Sequence, residues 1–193
     1  MSRKTNSLPP EYFDALYAAN PDPWRFASSD YEQEKYGHTL KALARDRYSC
    51  ALELGCSIGV LTTQLAKRCD SLLAVDAAEA ALIQARDRCA AQDWVTFRRM
   101  RAPDEWPQGR FDLILLSEVV YYLEPTDVVR LAQQVKQSLM PAGELLLVHW
   151  TGETDYPLSG DDAAEQFIAA ASGFAHVVKS ERAEKFRLDL LGR

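Results

Sequence analysis

The chain is poor in metal-binding residues, and none of its spacings would gather the few it has. Its four cysteines, Cys50, Cys56, Cys69 and Cys89, form no C-x-x-C pair, and its three histidines, His38, His149 and His176, lie far from one another and from the cysteines. No zinc or other metal is expected from that pattern, and reduced, mostly buried thiols are expected instead. No run approaches the roughly 20 apolar residues of a membrane span, and the first twenty residues hold no continuous apolar stretch. Neither a membrane partner nor a signal peptide is expected, and the expected location is cytoplasmic. Positive charge is scarce as well: 22 Lys and Arg face 28 Asp and Glu, for a net charge of −6. That balance argues against a nucleic-acid partner, because such proteins concentrate Lys and Arg. The one compact basic cluster, Arg98-Arg99-Met100-Arg101, reads as a solvated strand edge. Oligomeric state leaves no trace in the sequence.

What is present fits one α/β domain. The 193 residues are 47% hydrophobic, enough for a sizeable core without a second domain. Strand and helix signals alternate: strand 50–54, helix 58–68, strand 71–75, helix 78–90, strand 94–99, strand 111–116, helix 125–139 and strand 143–149, with a loop over 100–110. Pro141-Ala142-Gly143 reads as a compact turn after the helix. A helix over 161–172 and two terminal strands, 174–179 and 185–190, follow, the second alternating like an exposed hairpin partner. Ahead of these lie a polar start expected to be disordered (1–10), a short helix from Glu11 to Tyr17, the breaker Asn20-Pro21-Asp22-Pro23-Trp24, and a helical pattern from Tyr31 to Arg47. The expected architecture is a seven-stranded, mostly parallel, doubly wound sheet of Rossmann-like type closed by an antiparallel pair, with residues 1–48 as a helical lid on a domain over 49–193.

The richest segment runs Ala51-Leu52-Glu53-Leu54-Gly55-Cys56-Ser57-Ile58-Gly59, followed by Leu72-Leu73-Ala74-Val75-Asp76. An apolar strand enters a glycine-bearing turn, where backbone can approach a ligand closely. A second strand then delivers one acid suited to a ribose diol. Three residues separate Gly55 from Gly59, unlike the G-x-G-x-x-G of dinucleotide folds, which weakens a nicotinamide reading. Glu53, just before the turn, is a poor neighbour for phosphate and a good one for a cationic amino acid.

E-L-G-C-x-x-G with Asp76 resembles the first motif and second-strand acid of class I S-adenosylmethionine methyltransferases. Phe111-Asp112-Leu113-Ile114 through Ser117-Glu118-Val119-Val120-Tyr121-Tyr122-Leu123 resembles the fourth strand and loop of small-molecule methyltransferases. Asn20-Pro21-Asp22-Pro23-Trp24 with Tyr31-Glu32-Gln33-Glu34-Lys35-Tyr36 resembles segments of the NodS nodulation methyltransferases. The resemblance covers roughly residues 12–125 and implies S-adenosylmethionine as cofactor and N-methylation of a small amine, such as an amino sugar or a deacetylated chitooligosaccharide. It places Glu53, Gly55, Cys56 and Gly59 around the methionine part and Asp76 at the ribose. Trp24 and Tyr31 would close the site, with Ser117 and Glu118 where sulfonium and acceptor meet. Such enzymes usually place an Asp beside adenine after the third strand. Here Arg101-Ala102 stands there, with Asp104 beyond, so either the backbone reads adenine or Asp104 substitutes.

Bland roles stand beside these. Asp76 also suits a helix N-cap, Trp24 and Tyr36 suit simple packing, Glu118 suits a solvated or capping position, and His149 suits a satisfied buried histidine. The expected bases are Glu118 and His149. The expected acceptor-facing residues are Tyr36, Tyr121, Tyr122 and Trp150, although adjacent Tyr121 and Tyr122 should not both face the cleft. The other functions that fit are an O-methyltransferase of another small metabolite and a non-catalytic nucleoside-binding protein of the same fold.

Overall fold

A computed structural model describes residues 3–193. A seven-stranded sheet in the order β3-β2-β1-β4-β5-β7-β6 organises the chain, with helices on both faces. The strands are β1 (Ala51–Leu54), β2 (Leu72–Asp76), β3 (Val95–Arg99), β4 (Phe111–Ser117), β5 (Leu139–Trp150), β6 (His176–Arg182) and β7 (Phe186–Gly192). The helices are α1 (Pro10–Ala19), α2 (Asp30–Ala42), α3 (Val60–Leu65), α4 (Glu79–Arg88), α5 (Pro125–Ser138) and α6 (Gly160–Ala171). β1 to β5 pair in parallel, and β7 runs antiparallel between β5 and β6. The expected doubly wound α/β sheet is therefore the observed one.

The apolar runs of β1 and β4 are buried along their whole length, as strands covered on both faces must be. Alternate residues serve opposite layers. Leu113, Leu115 and Leu146 pack with Tyr36, Leu61 and Leu65 on one side. Ile114, Leu116 and Leu147 pack with Val128, Leu131 and Phe167 on the other. In α5 the buried residues Val128, Leu131, Ala132 and Val135 recur at helical spacing, and Pro125 opens the helix where a missing N–H costs nothing.

Four expectations change. Residues 3–9 are an ordered strap, the expectation for Met1 and Ser2 lying outside the described residues. Lys4 N–H donates to the Asp155 carbonyl and Leu8 N–H to that of Tyr122, both at 2.9 Å. Leu8 is itself buried, so a polar stretch is held by backbone pairing and one apolar anchor. The helix expected to run to Arg47 stops at Ala42, and Tyr48 instead bridges to Cys69 ahead of β1. Pro141-Ala142-Gly143 is no turn between helix and strand. β5 begins at Leu139, and the segment bulges where the β4–β5 register jumps between Phe111 and Leu113. The terminal hairpin is inverted: β7, paired on both sides, is buried, whereas β6 is the exposed edge. Alternation in a single segment cannot tell which hairpin strand inserts next to β5.

Candidate active site

β1 and β4 lie at the centre of the sheet, where the strand order reverses, and ligands of such sheets bind beyond the carboxyl ends at that point. A cleft opens there in two connected chambers. The larger, about 820 Å³ and open to solvent, is walled by the strap and α1 through Leu8, Phe13 and Tyr17, and by Trp24, Phe26, Met100, Ala102, Tyr122 and Leu123, with Asp76 and Ser57 at its floor. The smaller, about 360 Å³, is lined by Phe26, Glu32, Tyr36, Glu53, Cys56 and Leu61. Gly55, Ser57, Ser117 and Glu118 border both.

Backbone geometry forms the floor. Gly55 adopts φ +81°, and a Cβ there would lie 2.2 Å from Val119 Cγ1. The glycine is thus required by the approach of the loop after β4, in addition to any ligand. Gly59, φ +78°, precedes α3, and a Cβ there would meet Ala85 of α4 at 2.9–3.0 Å. It lines neither chamber. What the structure shows for this glycine, expected at the cofactor, is a helix-packing role, because the turn carries α3 against α4 at that point. Asp76, ending β2, accepts the Ser57 N–H through Oδ2 and the Ala78 N–H through Oδ1, each at 2.9 Å. Burial raises its pKa, and the backbone donors oppose that shift. Each oxygen keeps a lone pair for a hydroxyl donor in the chamber. Asp76 does not cap α4 in the ordinary sense, since Ala78 holds the N-cap position.

Glu53 is fully buried in β1, and burial pushes its carboxyl pKa up to about 7. Its Oε2 has no hydrogen-bond partner. An orphaned buried carboxylate oxygen on a chamber wall fits a cationic donor on a ligand. Together with Asp76 and the apolar walls of the larger chamber, it makes the residues present suit a nucleoside bearing an α-ammonium group.

The N-terminal motifs explain themselves locally. Asp22 accepts the Phe26 N–H at 2.7 Å and the Ala27 N–H at 2.9 Å, folding the loop so that Trp24 and Phe26 stack with centroids 5.4 Å apart. The Tyr17 hydroxyl reaches Ser57 Oγ, joining α1 to the glycine turn. On α2, Lys35 is buried with its ammonium 2.6 Å from Glu118 Oε1 and 2.9 Å from Glu32 Oε2. Glu118, at φ +57°, also accepts the Tyr121 hydroxyl at 2.7 Å and the Trp150 N–H at 2.9 Å through Oε2. Burial raises its pKa more than any one neighbour lowers it, but the Lys35 ammonium together with the Trp150 N–H and the Tyr121 hydroxyl outweighs burial, and the net shift is downward.

These contacts revise several expectations. With both oxygens engaged by three donors and its pKa lowered, Glu118 is a poor proton acceptor, although it does border the cleft. His149 is wholly buried, lines neither chamber and is held neutral, burial lowering its pKa to about 4. Its Nε2 accepts the Val120 N–H at 3.3 Å, so it supports the loop after β4 in place of acting as a base. Tyr31 and Trp150 pack edge to face at 5.5 Å behind Glu118 and line neither chamber. Of the tyrosine pair, Tyr122 faces the larger chamber while Tyr121 turns inward to Glu118. Arg101 and Ala102 line the larger chamber as expected, whereas Asp104 does not, being drawn 2.7 Å from Arg130 on the surface. Lys35, Glu32, Asp22 and Tyr17 carry site geometry that sequence reasoning passed over. Glu32 and Lys35 lie inside the motif that resembles NodS, yet Lys35 is fixed by Glu118, 83 positions away.

Comparison with known proteins decides the family. The model of Nodulation protein S (NodS) matches residues 15–150. The chain belongs to the NodS family. Nodulation protein S of Sinorhizobium fredii is 32% identical over 130 residues, 66% of this chain and 60% of that protein. That of Bradyrhizobium diazoefficiens is 34% identical over 134 residues, 65% of this chain and 61% of that protein. The match thus spans about three-fifths of the length of these curated relatives. Among solved structures, a protein of Pseudomonas syringae is 37% identical, covering 84% of this chain and 99% of that one, with a TM-score of 0.74. The N-methyltransferase NodS of Bradyrhizobium japonicum WM9, crystallised with S-adenosyl-L-homocysteine, shares the fold of this NodS-family chain at a TM-score of 0.81. Its identity is 22%, covering 95% of this chain and 98% of that one.

Proposed function

We propose that this chain is an S-adenosylmethionine-dependent methyltransferase that methylates a nitrogen of a small amine, an amino sugar being the leading class. The observation that carries the reading is the pair of acids near Gly55: Asp76 on the floor of the larger chamber, and Glu53 with one orphaned oxygen in the smaller one. Membership of a family whose crystallised representative is an N-methyltransferase with the demethylated cofactor product supports it. In this reading Asp76 takes the ribose hydroxyls, Met100, Arg101, Ala102 and Leu123 border the base, and Glu53 takes the α-ammonium. Trp24 and Tyr122 wall the chamber.

The bound cofactor supplies a methyl group already activated on sulfur. The chain's own work is to orient and to exclude water. Well-aligned reactants recover up to about 7–11 kcal/mol of barrier from positioning alone. The aromatic walls supplied by α1 and the Asp22 loop, with Leu8 of the strap beside them, suit a cover that keeps water from that alignment. An amine that enters as its neutral form needs no strong protein base, in keeping with the engaged Glu118 and the neutral His149.

The test is calorimetric titration with S-adenosyl-L-homocysteine and with NAD, followed by a methyl-transfer screen over glucosamine oligomers, alkylamines, phenols and nucleic acids. At 100 times its dissociation constant the homocysteine product should stabilise the fold by about 2.7 kcal/mol, and NAD should not. Transfer to amines should quicken from pH 6 to 9. Transfer confined to phenols or nucleic acid would overturn the amine assignment, and absence of cofactor binding would overturn the whole reading.

A further inference from the structure

Five residues border both chambers and form the waist between them: Phe26, Gly55, Ser57, Ser117 and Glu118. Phe26 alone among them is aromatic, and it alone comes from the N-terminal segment. The waist is also where the backbone is held in uncommon conformations. Of the four non-glycine residues with left-handed φ among the described residues, Ser57 (+50°) and Glu118 (+57°) border it, and Arg25 (+59°) immediately precedes Phe26. Such conformations persist where the surroundings over-determine them, and they gather at ligand sites. For Phe26 those surroundings are explicit. Asp22 accepts its N–H at 2.7 Å, Ser28 and Ser29 donate their N–H groups to the Arg25 carbonyl at 3.1 and 2.9 Å, and the ring stacks on Trp24 at 27°. The chain itself fixes where the ring lies.

With the ribose at Asp76 in the larger chamber and the α-ammonium at Glu53 in the smaller, the sulfur that joins the two halves of the cofactor falls at the waist. Before transfer that sulfur carries a permanent positive charge. We propose that Phe26 packs its ring against this sulfonium and so distinguishes the charged cofactor from its neutral product. The assignment rests on the proposed function and gives a ligand-binding role to a residue outside the glycine turn and the strand-end acids. An aromatic face attracts a cation through the ring quadrupole, whereas a neutral thioether gains only ordinary contact there. When the methyl passes to the neutral amine, the bonding pair stays on sulfur and the positive charge moves to nitrogen. The attraction at Phe26 therefore ends with transfer, and the product is loosened at the waist while its contacts at Asp76 and Glu53 are unchanged. Glu118 adds a carboxylate at the same place, but its oxygens are already engaged by Lys35, Tyr121 and the Trp150 N–H.

The experiment is calorimetry on the full chain without acceptor, comparing S-adenosyl-L-methionine with S-adenosyl-L-homocysteine. It is run on the wild type, on Phe26→Leu, and on a chain with Phe26 replaced by a ring-trifluorinated phenylalanine, which keeps the shape but withdraws negative charge from the face. Phe26→Leu should weaken the methionine form about threefold to tenfold more than the homocysteine form. The fluorinated ring should move the ratio of the two affinities the same way by at least about twofold, with the homocysteine form bound as in the wild type. Equal loss of both ligands in Phe26→Leu, or a ratio unchanged in either replacement, would overturn the assignment and leave Phe26 as a wall of the cleft. Wild-type binding of S-adenosyl-L-homocysteine is measured first. Its failure would remove the proposed function and this assignment together, whereas normal wild-type binding with an unchanged ratio in the replacements removes this assignment alone.

Discussion

The two chambers of the cleft are held open by different physics. The larger is a matter of backbone: a left-handed turn at Gly55, an acid at the end of β2 tied to two amides, and apolar walls tolerant of exchange. The smaller is a matter of charge: three carboxylates line it, and two of them, Glu32 and Glu118, share one buried ammonium. A backbone-built site fails when sterics are violated, whereas a charge-built site fails when one partner is removed and the others stay buried.

The charge-built chamber should break hardest. Lys35→Met leaves Glu32 and Glu118 buried without their cation, and breaking a buried pair this way typically costs about 3–5 kcal/mol. The effect has a pH signature. Against the upward pull of burial, Lys35 leads the groups, with the Trp150 N–H and the Tyr121 hydroxyl, that bring the Glu118 pKa below its ordinary value, so the stability that Glu118 contributes is present above the ordinary carboxylate range and is lost as pH falls. The deficit of Lys35→Met in urea unfolding should therefore be largest near pH 8 and shrink toward pH 4.5, where protonation relieves the stranded carboxylates. A deficit independent of pH would mean that Lys35 acts through packing of its stem.

Gly55→Val comes next. A β-branched side chain at φ +81° is strained, and the added carbon collides with Val119, together costing about 2–4 kcal/mol. Since the collision is within the protein, lost ligand binding in this variant does not by itself place a ligand at Gly55. Pairing Gly55→Ala with Val119→Ala separates the two: the double variant should recover stability lost to the clash, but not that lost to the backbone angle, as read from the urea midpoints of both.

The same division governs what could be read from the chain alone. Turn glycines, a strand-end acid and the apolar runs of β1, β2 and β4 are local features, so the doubly wound sheet and the chamber positions of Gly55, Asp76, Ser117 and Ala102 follow from sequence. The role of Gly59 does not, because φ > 0 and close helix packing leave the same letter as close ligand approach. Nor do the engagement of Glu118 and the neutrality of His149: these depend on Lys35 arriving from α2 and on the complete burial of His149 near the end of β5. The family resemblance points to Tyr31 and its aromatic character to Trp150 as site residues, while their mutual packing is a tertiary fact. Hairpin order and the β5 bulge were hidden for the same reason.

Smaller effects test the acids that line the two chambers, Asp76 and Glu53. Asp76→Ala should leave the fold stable within about 1–2 kcal/mol, the value of its two backbone hydrogen bonds. It should weaken S-adenosyl-L-homocysteine by tenfold or more in calorimetry, about 1.4 kcal/mol or above. Unchanged affinity would return Asp76 to the role of holding Ser57 and Ala78. Glu53 supplies a pH test. Burial raises its pKa to about 7, so its contribution to stability is full below the ordinary carboxylate value and is lost as pH rises through about 7. A ligand ammonium pairs with the ionised form, so the thermal shift given by S-adenosyl-L-homocysteine should grow between pH 6 and 8. Glu53→Gln should flatten that growth.

The least disruptive change sharpens the larger chamber. Two readings of adenine recognition were open after β3: backbone and neighbouring side chains alone, or Asp104 reaching in from a shifted loop. Asp104 instead faces outward, 2.7 Å from Arg130 and 3.5 Å from Arg101, at a surface where ion pairs are screened and contribute little. Arg101 and Ala102 border the chamber themselves, leaving their main chain and the Met100 side chain to meet a base. Asp104→Ala should accordingly move the melting temperature by no more than about 1–2 °C and leave S-adenosyl-L-homocysteine affinity unchanged. Inosine-containing S-inosylhomocysteine, which lacks the 6-amino group an Asp would accept from, should show the same relative affinity in variant and wild type. A selective loss of discrimination between the two nucleosides in Asp104→Ala would mean that the loop shifts on binding and that Asp104 reads the base after all.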